Sequence, residues 1–347
     1  MLNGDGLKMK RIELLDCTLR DGGLALKENF SEGRGREGYT EEATINIVNA
    51  LKKAGVDIIE LGSVQNIDRS YPEFAIYSNI KEVSNLALQG DSSYAVFFQG
   101  PDIPINRVPE WQKGICDWIR FSVRYSEIKR SLSYCEELVK RGYKVSVQPI
   151  VTMRYTDDEL KYVAEETERI NANAIYFVDS YGYMTGQDVD RIFKIFNSIL
   201  DKEKKIGFHA HNNMDSAFTN SIEFIGLEKD RDIIVDACCM GMGQGAGNLK
   251  TEVIAAYLNQ WYGKEYDMLN IFEICDYIDS MHKDNIWGYS VAAFIAAYYR
   301  TAYKYALLLR RQWGYSYVKI AEGLAVLPDE YRHRFMQEGI EHILNNK

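Results

Sequence analysis

The sequence has few of the features that mark secreted, membrane-spanning or nucleic-acid-binding proteins. Its six cysteines lie far apart or adjacent and never in a C-x-x-C spacing, which argues against a zinc ribbon or a disulfide framework. No apolar run approaches the roughly 20 residues that span a bilayer, and the N-terminus carries no apolar signal segment. The net charge of −9 is of the wrong sign for phosphate-backbone binding. We therefore expect a cytoplasmic protein that binds neither membranes nor nucleic acid.

What the sequence does contain is a regular alternation of short apolar runs with segments of helical period. Eight runs separated by such segments indicate repeated βα units and closure into a barrel, so the fold class is α/β, a (β/α)8 TIM barrel. The predicted strands are Ile12–Cys17, Asp57–Gly62, Ala95–Gln99, Ile119–Val123, Lys144–Val151, Ala174–Asp179, Lys205–Ala210 and Ile233–Cys238.

The alternation stops after Lys264, and the rest of the chain is helical in pattern. Because 347 residues exceed the roughly 250 of a typical barrel, we predict two domains: a catalytic barrel over residues 1–264 and a helical domain over 265–347. The predicted C-terminal helices are Leu269–Met281, Tyr289–Tyr305, Ser316–Gly323 and Pro328–Ile343.

Two strand ends carry the chemistry. The first strand runs into Arg20-Asp21-Gly22, and the seventh ends in His209-Ala210-His211. Residues two apart in a strand point to the same face, so both imidazoles can reach one cation while Asp21 arrives from another strand end. A mixed oxygen and nitrogen ligand set suits Mn²⁺, Mg²⁺, Zn²⁺ or Fe²⁺ and leaves positions open for substrate. The sequence predicts a catalytic metal site beside an arginine.

These motifs carry a family resemblance. DCTLRDGG, FHAHNN and GMGQGAGN resemble the HMGL-like superfamily of metal-dependent carbon–carbon lyases and synthases (DRE-TIM metallolyases). Together with YFVDSYG and WGYSVAAF, they most resemble the 4-hydroxy-2-oxovalerate aldolases. The resemblance spans nearly the whole chain.

The resemblance implies roles for individual residues. Asp21, His209 and His211 would hold the metal with Asn248 at or near it, and Arg20 would contact the enolate oxygen of the substrate. Physical chemistry agrees, since a divalent ion and a fixed guanidinium both stabilise a developing enolate.

Further candidates carry alternatives. Ser180 and Gly22 are assigned to substrate binding, although Ser180 equally fits a helix cap. Glu60 and Tyr289 are assigned to catalysis. For Glu60, a structural ion pair with Arg20 or the metal shell is an equal alternative to a catalytic role. For Tyr289, the alternative is a position in the interface between the two domains.

The sequence departs from the aldolases at the general base. Those enzymes place a histidine shortly after the Arg-Asp-Gly motif, where this chain has Leu24. Among the remaining histidines His282 is the most plausible replacement, with a solvent-facing helix position as its alternative reading, and Glu28 is an alternative base. Residues 25–40 are interpreted as a loop, either a lid or a solvated segment, in which Arg34 or Arg36 would bind an anionic group on a longer substrate.

These considerations predict a divalent-metal aldolase that cleaves or forms a 4-hydroxy-2-oxo acid through a pyruvate enolate. Mn²⁺ is the preferred metal, with Mg²⁺, Co²⁺ and Zn²⁺ as alternatives. The other candidates are a Claisen-type synthase of the isopropylmalate or homocitrate synthase kind, an HMG-CoA-lyase-like enzyme, and a non-catalytic docking protein. The resemblance also implies an aldehyde dehydrogenase partner at the C-terminal domain, and we expect a homodimer.

Overall fold

The computed structural model describes residues 11–33, 38–87, 91–227, 230–282 and 287–345. Eight parallel strands form a closed barrel, because β1 pairs with both β9 and β2 while the others pair in chain order. A two-residue strand, β3, extends the edge of β2. The strands are β1 Ile12–Asp16, β2 Ile58–Val64, β3 Ile76–Tyr77, β4 Ser93–Phe98, β5 Trp118–Val123, β6 Lys144–Pro149, β7 Ala174–Asp179, β8 Lys205–Ala210 and β9 Ile233–Ala237.

The barrel confirms the predicted fold class. Its strands are buried along almost their whole length, as expected when helices cover a parallel sheet, and this burial explains why they appear as continuous apolar runs. The predicted bounds of β7 and β8 agree with the structure residue for residue. The predicted series lacks β3, which is too short to give a periodic pattern.

Helices follow most barrel strands. The connection from β4 to β5 is an exception, since residues 99–117 form turns and one short 3-10 segment, Ile105–Arg107. The barrel helices are α1 Gly23–Ser31, α2 Glu41–Lys53, α3 Ile80–Ser84, α4 Ile128–Lys140, α5 Asp157–Arg169, α6 Gly186–Ile199, α7 Ala217–Leu227 and α8 Thr251–Tyr262.

The C-terminal part is helical, as predicted. Its helices are α9 Met268–His282, α10 Val291–Tyr298, α11 Tyr303–Arg311, α12 Tyr317–Ala325, α13 Asp329–Arg332 and α14 Gln337–Asn345. Ile271, Ile274 and Ile278 of α9 belong to the barrel core, whereas a second core begins at Ala292.

The predicted single helix Tyr289–Tyr305 is wrong. Arg300 takes a left-handed conformation (φ 55°), and Thr301 then returns its N–H to the Ala296 carbonyl, which ends α10 before α11 begins. The predicted helix Pro328–Ile343 is likewise divided into α13 and α14.

The predicted loop over residues 25–40 begins instead as α1, whose burial against the Pro72–Phe74 turn favours helix over loop. Arg34 and Arg36 lie outside the described residues, as does the side chain of His282. All six cysteines are free thiols, five of them buried, as expected of core residues. No helix in the described part of the chain is long and apolar enough to cross a membrane.

Candidate active site

The turn after β1 positions the first two site residues. Residues Thr18–Gly22 form one wide, π-type helical turn, a geometry often found at functional sites. The Asp21 N–H donates to the Cys17 carbonyl at 2.9 Å. Arg20 and Asp21 are consequently buried at the carboxyl end of the barrel, 6% and 2% exposed.

The end of β8 supplies two imidazoles beside this carboxylate. His209 Nε2 lies 3.5 Å and His211 Nε2 3.8 Å from Asp21 Oδ2. One ligand atom of each of the three residues lies within 4.8 Å of those of the other two. Donors that bind one cation at about 2.0–2.2 Å are separated by roughly 3–4 Å, so the three side chains fit a single divalent ion.

The opposite ring nitrogens are held by the protein. His209 Nδ1 lies 2.9 Å from Asp236 Oδ2, and His211 Nδ1 lies 3.1 Å from the carbonyl oxygen of Asp179. Each acceptor fixes a proton on Nδ1, so Nε2, which faces Asp21, is the ring nitrogen available to a metal. This arrangement of outer partners is typical of metal-binding histidines.

The glycine-rich loop brings the fourth predicted residue to the site. It folds back on the end of β8, where the Asn212 N–H donates to the Gly247 carbonyl at 2.8 Å. Gly247 has φ 81°, and a Cβ there would lie 2.0 Å from the Gly241 oxygen, so only glycine allows this path. Asn248 thereby donates from Nδ2 to Asp21 Oδ2 at 2.7 Å.

Asn248 also provides an independent test of the metal assignment. Its Oδ1 is buried and has no hydrogen-bond partner among the described residues. An orphaned buried amide oxygen costs free energy unless another group satisfies it. The oxygen is the kind of donor that a hard divalent cation accepts, so the residues present fit a metal.

The charges at the site are strongly coupled. Burial raises the pKa of Asp21, but the charge on Arg20 and the hydrogen bond with His209 outweigh it, and the net pKa is well below the ordinary value. Burial lowers the pKa of His209, but Asp21 and Asp236 raise it above the ordinary value overall. Burial and the neighbouring His209 lower the pKa of His211 to about 4. The carboxylate stays ionised and His211 stays neutral, as metal ligands must.

Glu60 lies inside β2 and has the partner expected for it. Its Oε2 accepts from Arg20 Nε at 2.7 Å, and Arg20 Nη1 donates to Asp21 Oδ1 at 2.8 Å. The guanidinium also lies over the Phe97 ring, 4.7 Å from its centroid. These contacts fix the arginine beside the three ligands.

A second buried arginine, which the sequence analysis did not single out, joins both sides of the site. Arg120 Nη1 lies 2.8 Å from Glu60 Oε2, and its Nη2 contacts Asp236 Oδ2. With the Gln148 amide oriented to face it, Oε1 accepts from Arg120 Nε at 2.9 Å. A signal was available, because a charged residue inside an apolar parallel strand must find a buried partner, and Arg120 and Asp236 both interrupt such strands.

A cavity of about 1010 Å³ opens over this network. Its lining includes Arg20, Asp21, both histidines and Ser180. Ser180 Oγ accepts from the Val151 N–H at 2.8 Å, which leaves its own proton for a ligand. The hydroxyl therefore makes no helix cap of the kind considered from the sequence.

Gly22 and Tyr289 are not brought to the cavity lining. A Cβ on Gly22 would meet Tyr39 Oη at 2.5 Å and Met242 Sδ at 2.6 Å, so this glycine allows close packing behind the site. Tyr289 is 59% exposed and precedes Ser290, the N-cap of α10.

The tyrosine that does reach the cavity from the C-terminal helices is Tyr303. Its hydroxyl donates to Glu28 Oε2 at 3.1 Å. Gln244 Nε2 donates to the same oxygen at 3.2 Å, and Lys304 Nζ lies 3.6 Å from Glu28 Oε1. Leu24, one helical turn before Glu28, lines the cavity too. No sequence pattern links residues 28 and 303, so only the fold reveals this contact.

Comparison with known proteins agrees with the barrel and its motifs. The HMGL-like family model matches residues 119–278. A 4-hydroxy-2-oxovalerate aldolase of Geobacillus genomosp. 3 is 30% identical over 275 residues, which cover 77% of this chain and 76% of that protein. An oxaloacetate decarboxylase of Mycobacterium tuberculosis is 26% identical over 250 residues, which cover 71% of this chain and 70% of the relative.

Solved structures share the fold. The N-terminal domain of a putative aldolase from Bacteroides vulgatus superposes with a TM-score of 0.71 at 22% identity, covering 89% of this chain and 99% of that one. The HMG-CoA lyase of Brucella melitensis gives a TM-score of 0.62 at 17% identity, with coverage of 79% and 100%. From the sequence relationship to the Geobacillus aldolase and the matching family model, the chain belongs to the HMGL-like family and is a carbon–carbon lyase.

Proposed function

We propose that the protein is a divalent-metal-dependent aldolase that cleaves or forms a 4-hydroxy-2-oxo acid through a pyruvate enolate. The observation that carries the proposal is the placement of Arg20 beside the Asp21, His209 and His211 ligand set, on the wall of one cavity. The aldolases among its relatives, at 25–30% identity, support the same assignment.

The metal would be held by Asp21, His209 and His211, with Asn248 Oδ1 beside it. When bound, the divalent ion supplies Lewis acidity to the keto and carboxylate oxygens of a 2-oxo acid. We propose Mn²⁺ first and Mg²⁺, Co²⁺ or Zn²⁺ as alternatives, since all accept oxygen and nitrogen donors.

The charge balance of the buried network favours a monoanionic substrate. A bound metal keeps both imidazoles neutral, so the protein groups of the metal-loaded network are three carboxylates (Asp21, Glu60 and Asp236) and two guanidinium groups (Arg20 and Arg120), with one net negative charge. A divalent ion changes this to one net positive charge, and one 2-oxo acid carboxylate neutralises it. Buried charges persist only when they are balanced in this way.

Arg20 would stabilise the enolate. Its Nε and Nη1 are used by Glu60 and Asp21, whereas Nη2 has no partner among the described residues and belongs to a side chain that lines the cavity. A guanidinium held on two sides cannot rotate away, so its free donor is preorganised for the charge that develops on the substrate oxygen.

Glu28 would handle the proton in place of the missing histidine. In cleavage, the C4 hydroxyl gives its proton to the Glu28 carboxylate as the C3–C4 bond breaks. The aldehyde leaves, the electron pair becomes the pyruvate enolate, and protonation at C3 completes the turnover. Tyr303 and Gln244 orient the carboxylate, and Tyr303 can pass its proton onward.

One observation favours a second candidate, oxaloacetate decarboxylation. Leu24 occupies the aldolase base position, and loss of carbon dioxide forms the same pyruvate enolate without removal of a hydroxyl proton. The relative from M. tuberculosis that is named oxaloacetate decarboxylase is consistent with this reaction. The two reactions would share Arg20 and differ in their need for Glu28.

The experiment follows pyruvate release from 4-hydroxy-2-oxopentanoate and from oxaloacetate with metal-stripped and Mn²⁺-loaded protein. Blanks without enzyme correct for free metal. Metal-dependent cleavage that falls about 1,000-fold in Arg20→Ala is expected, as for loss of an oxyanion donor. Arg107→Ala removes an exposed arginine outside the cavity and should leave the rate unchanged. Release from oxaloacetate alone would favour the second candidate, and release from neither, together with absence of deuterium exchange into pyruvate, would refute both.

We also propose that the C-terminal helices bind an aldehyde dehydrogenase and that the protein is a homodimer. Exposed apolar side chains on or near these helices support the partner proposal. They are Val318, Tyr298 and Val326, which are 67%, 64% and 58% exposed. Co-purification of a dehydrogenase with the wild-type protein, and its loss in Val318→Asp, would support the partner. Light scattering measures the oligomeric state. A monomer, or no co-purifying dehydrogenase, would contradict the respective part.

A further inference from the structure

The cavity is larger than pyruvate and a short aldehyde require. Its volume of about 1010 Å³ lies at the upper end of the roughly 300–1,000 Å³ of small-molecule pockets. Its lining includes the metal ligands and also the C-terminal residues His333, Arg334 and Phe335. The space beyond the reacting carbons is therefore part of the site.

Two arginines line this space without carboxylate partners. Arg154 follows β6 and lies over the Tyr125 ring, 4.1 Å from its centroid. Arg334 lies between α13 and α14. Neither makes an ion pair with any acid of the described chain, although both line the cavity. Both arginines are exposed toward the cavity, and Arg154 is also held by stacking, so their donors are available to bind a carboxylate or phosphate that enters it.

The nearby acids are already committed elsewhere. Arg124 is paired with Asp102 and Glu127, and Lys304 faces Glu28. Each of these acids has a cation beside it, since Arg130 also pairs with Glu127, and Asp329 of the adjoining pocket pairs with Arg332. Glu159 and Glu330 lie near Arg154 but form no ion pair with it or with Arg334. Among the charged residues that line this end of the cavity, the surplus is positive.

A third polar group lies at the same place. His333 Nδ1 is buried and has no hydrogen-bond partner among the described residues, and the side chain lines both this cavity and an adjoining pocket of about 520 Å³ with Arg154. Burial, followed by the charge of Arg154, lowers the pKa of His333. Burial raises the pKa of Tyr181, and the charges of Arg154 and Arg334 both partly offset this rise. The two guanidinium groups therefore influence one region.

We propose that the aldehyde half of the natural substrate carries an anionic group, a carboxylate or a phosphate, which Arg154 and Arg334 bind while the 2-oxo acid half occupies the metal end. This inference rests on the proposed aldolase function and specifies its substrate class. Short uncharged aldehydes would fill only part of the cavity and leave both arginines without a counter-charge.

The test compares matched acceptor aldehydes in condensation with pyruvate. Succinic semialdehyde is paired with butanal, and glyceraldehyde 3-phosphate with glyceraldehyde. We expect kcat/KM to be at least about tenfold higher for the anionic member of one or both pairs, as a hydrogen-bonded charge allows. The pair that shows the preference identifies carboxylate or phosphate.

Variants assign the preference to residues. Arg154→Gln and Arg334→Gln should each raise KM for the anionic aldehyde by about tenfold while kcat/KM for its neutral analogue stays within about twofold. Arg107→Gln is the matched control and should change neither. Equal use of anionic and neutral aldehydes, or equal losses for both in the variants, would overturn the inference.

A separate readout keeps this result distinct from the proposed function. Deuterium exchange into the pyruvate methyl group needs no aldehyde. Exchange in the wild-type protein without an anionic preference would refute this inference alone, whereas absence of exchange and of all condensation would refute the proposed function on which it rests.

Discussion

Replacement of Asp236 by asparagine should weaken metal binding although Asp236 is not itself a predicted ligand. The carboxylate is fully buried and lies 2.9 Å from His209 Nδ1, so it orients the ring and increases the basicity of Nε2. The amide can still accept the Nδ1 proton but lacks the charge. Loss of such an outer partner costs about 10–100-fold in metal affinity, or about 1.4–2.8 kcal/mol.

The same substitution breaks the contact with Arg120, which keeps Glu60 at 2.8 Å. Breaking a buried ion pair completely costs about 3–5 kcal/mol. Because Arg120 keeps Glu60 as a counter-charge, we expect the free energy of unfolding to fall by less than that. Calorimetric titration of metal-stripped protein with Mn²⁺ measures the affinity. Asp16→Asn removes a buried carboxylate that Thr251 binds at 2.6 Å and should leave the affinity unchanged. Equal affinity in Asp236→Asn and wild type would refute this role.

Two further predictions concern the base and the loop. Glu28→Gln should lower aldol cleavage by about 100-fold or more while pyruvate exchange persists. Tyr303→Phe should lower cleavage less, because the phenol would orient the carboxylate and relay its proton without being the base. Equal rates for Glu28→Gln and wild type in the pyruvate-release assay would show that Glu28 is not the base. Gly247→Ala should lower the free energy of unfolding in urea by about 1–3 kcal/mol, because the new Cβ would lie 2.0 Å from the Gly241 oxygen. An unchanged urea midpoint would show that the glycine-rich loop can shift to accommodate the methyl group.

Much of the fold, and the grouping of the candidate metal ligands, could be predicted because both follow from local sequence patterns. The period of βα units gives the barrel, and the strand ends give Asp21, His209 and His211. Continuous burial of β7 and β8 makes their bounds visible in sequence. The break at Arg300 was not visible, because an arginine in a left-handed conformation carries no sequence signal of the kind glycine gives.

The rest of the site depends on contacts between distant segments. Glu28 meets Tyr303, and Arg120 meets Asp236, only after the chain has folded. Tyr289, chosen by resemblance, is 59% exposed and directly precedes Ser290, the N-cap of α10. Barrel geometry fixes where the strand ends place Asp21, His209 and His211, whereas the position of a residue near α10 depends on how the C-terminal helices pack.

The most direct test of the central claim is deuterium exchange into pyruvate in heavy water, followed by proton NMR with metal-stripped and Mn²⁺-loaded protein. We predict loss of the methyl signal only with metal, and a rate about 1,000-fold lower in Arg20→Ala, since we propose that the free guanidinium donor stabilises the enolate oxygen. Asp21 should still bind metal in that variant, because Asn248 holds it at 2.7 Å. Absence of metal-dependent exchange, or full exchange in Arg20→Ala, would contradict the account.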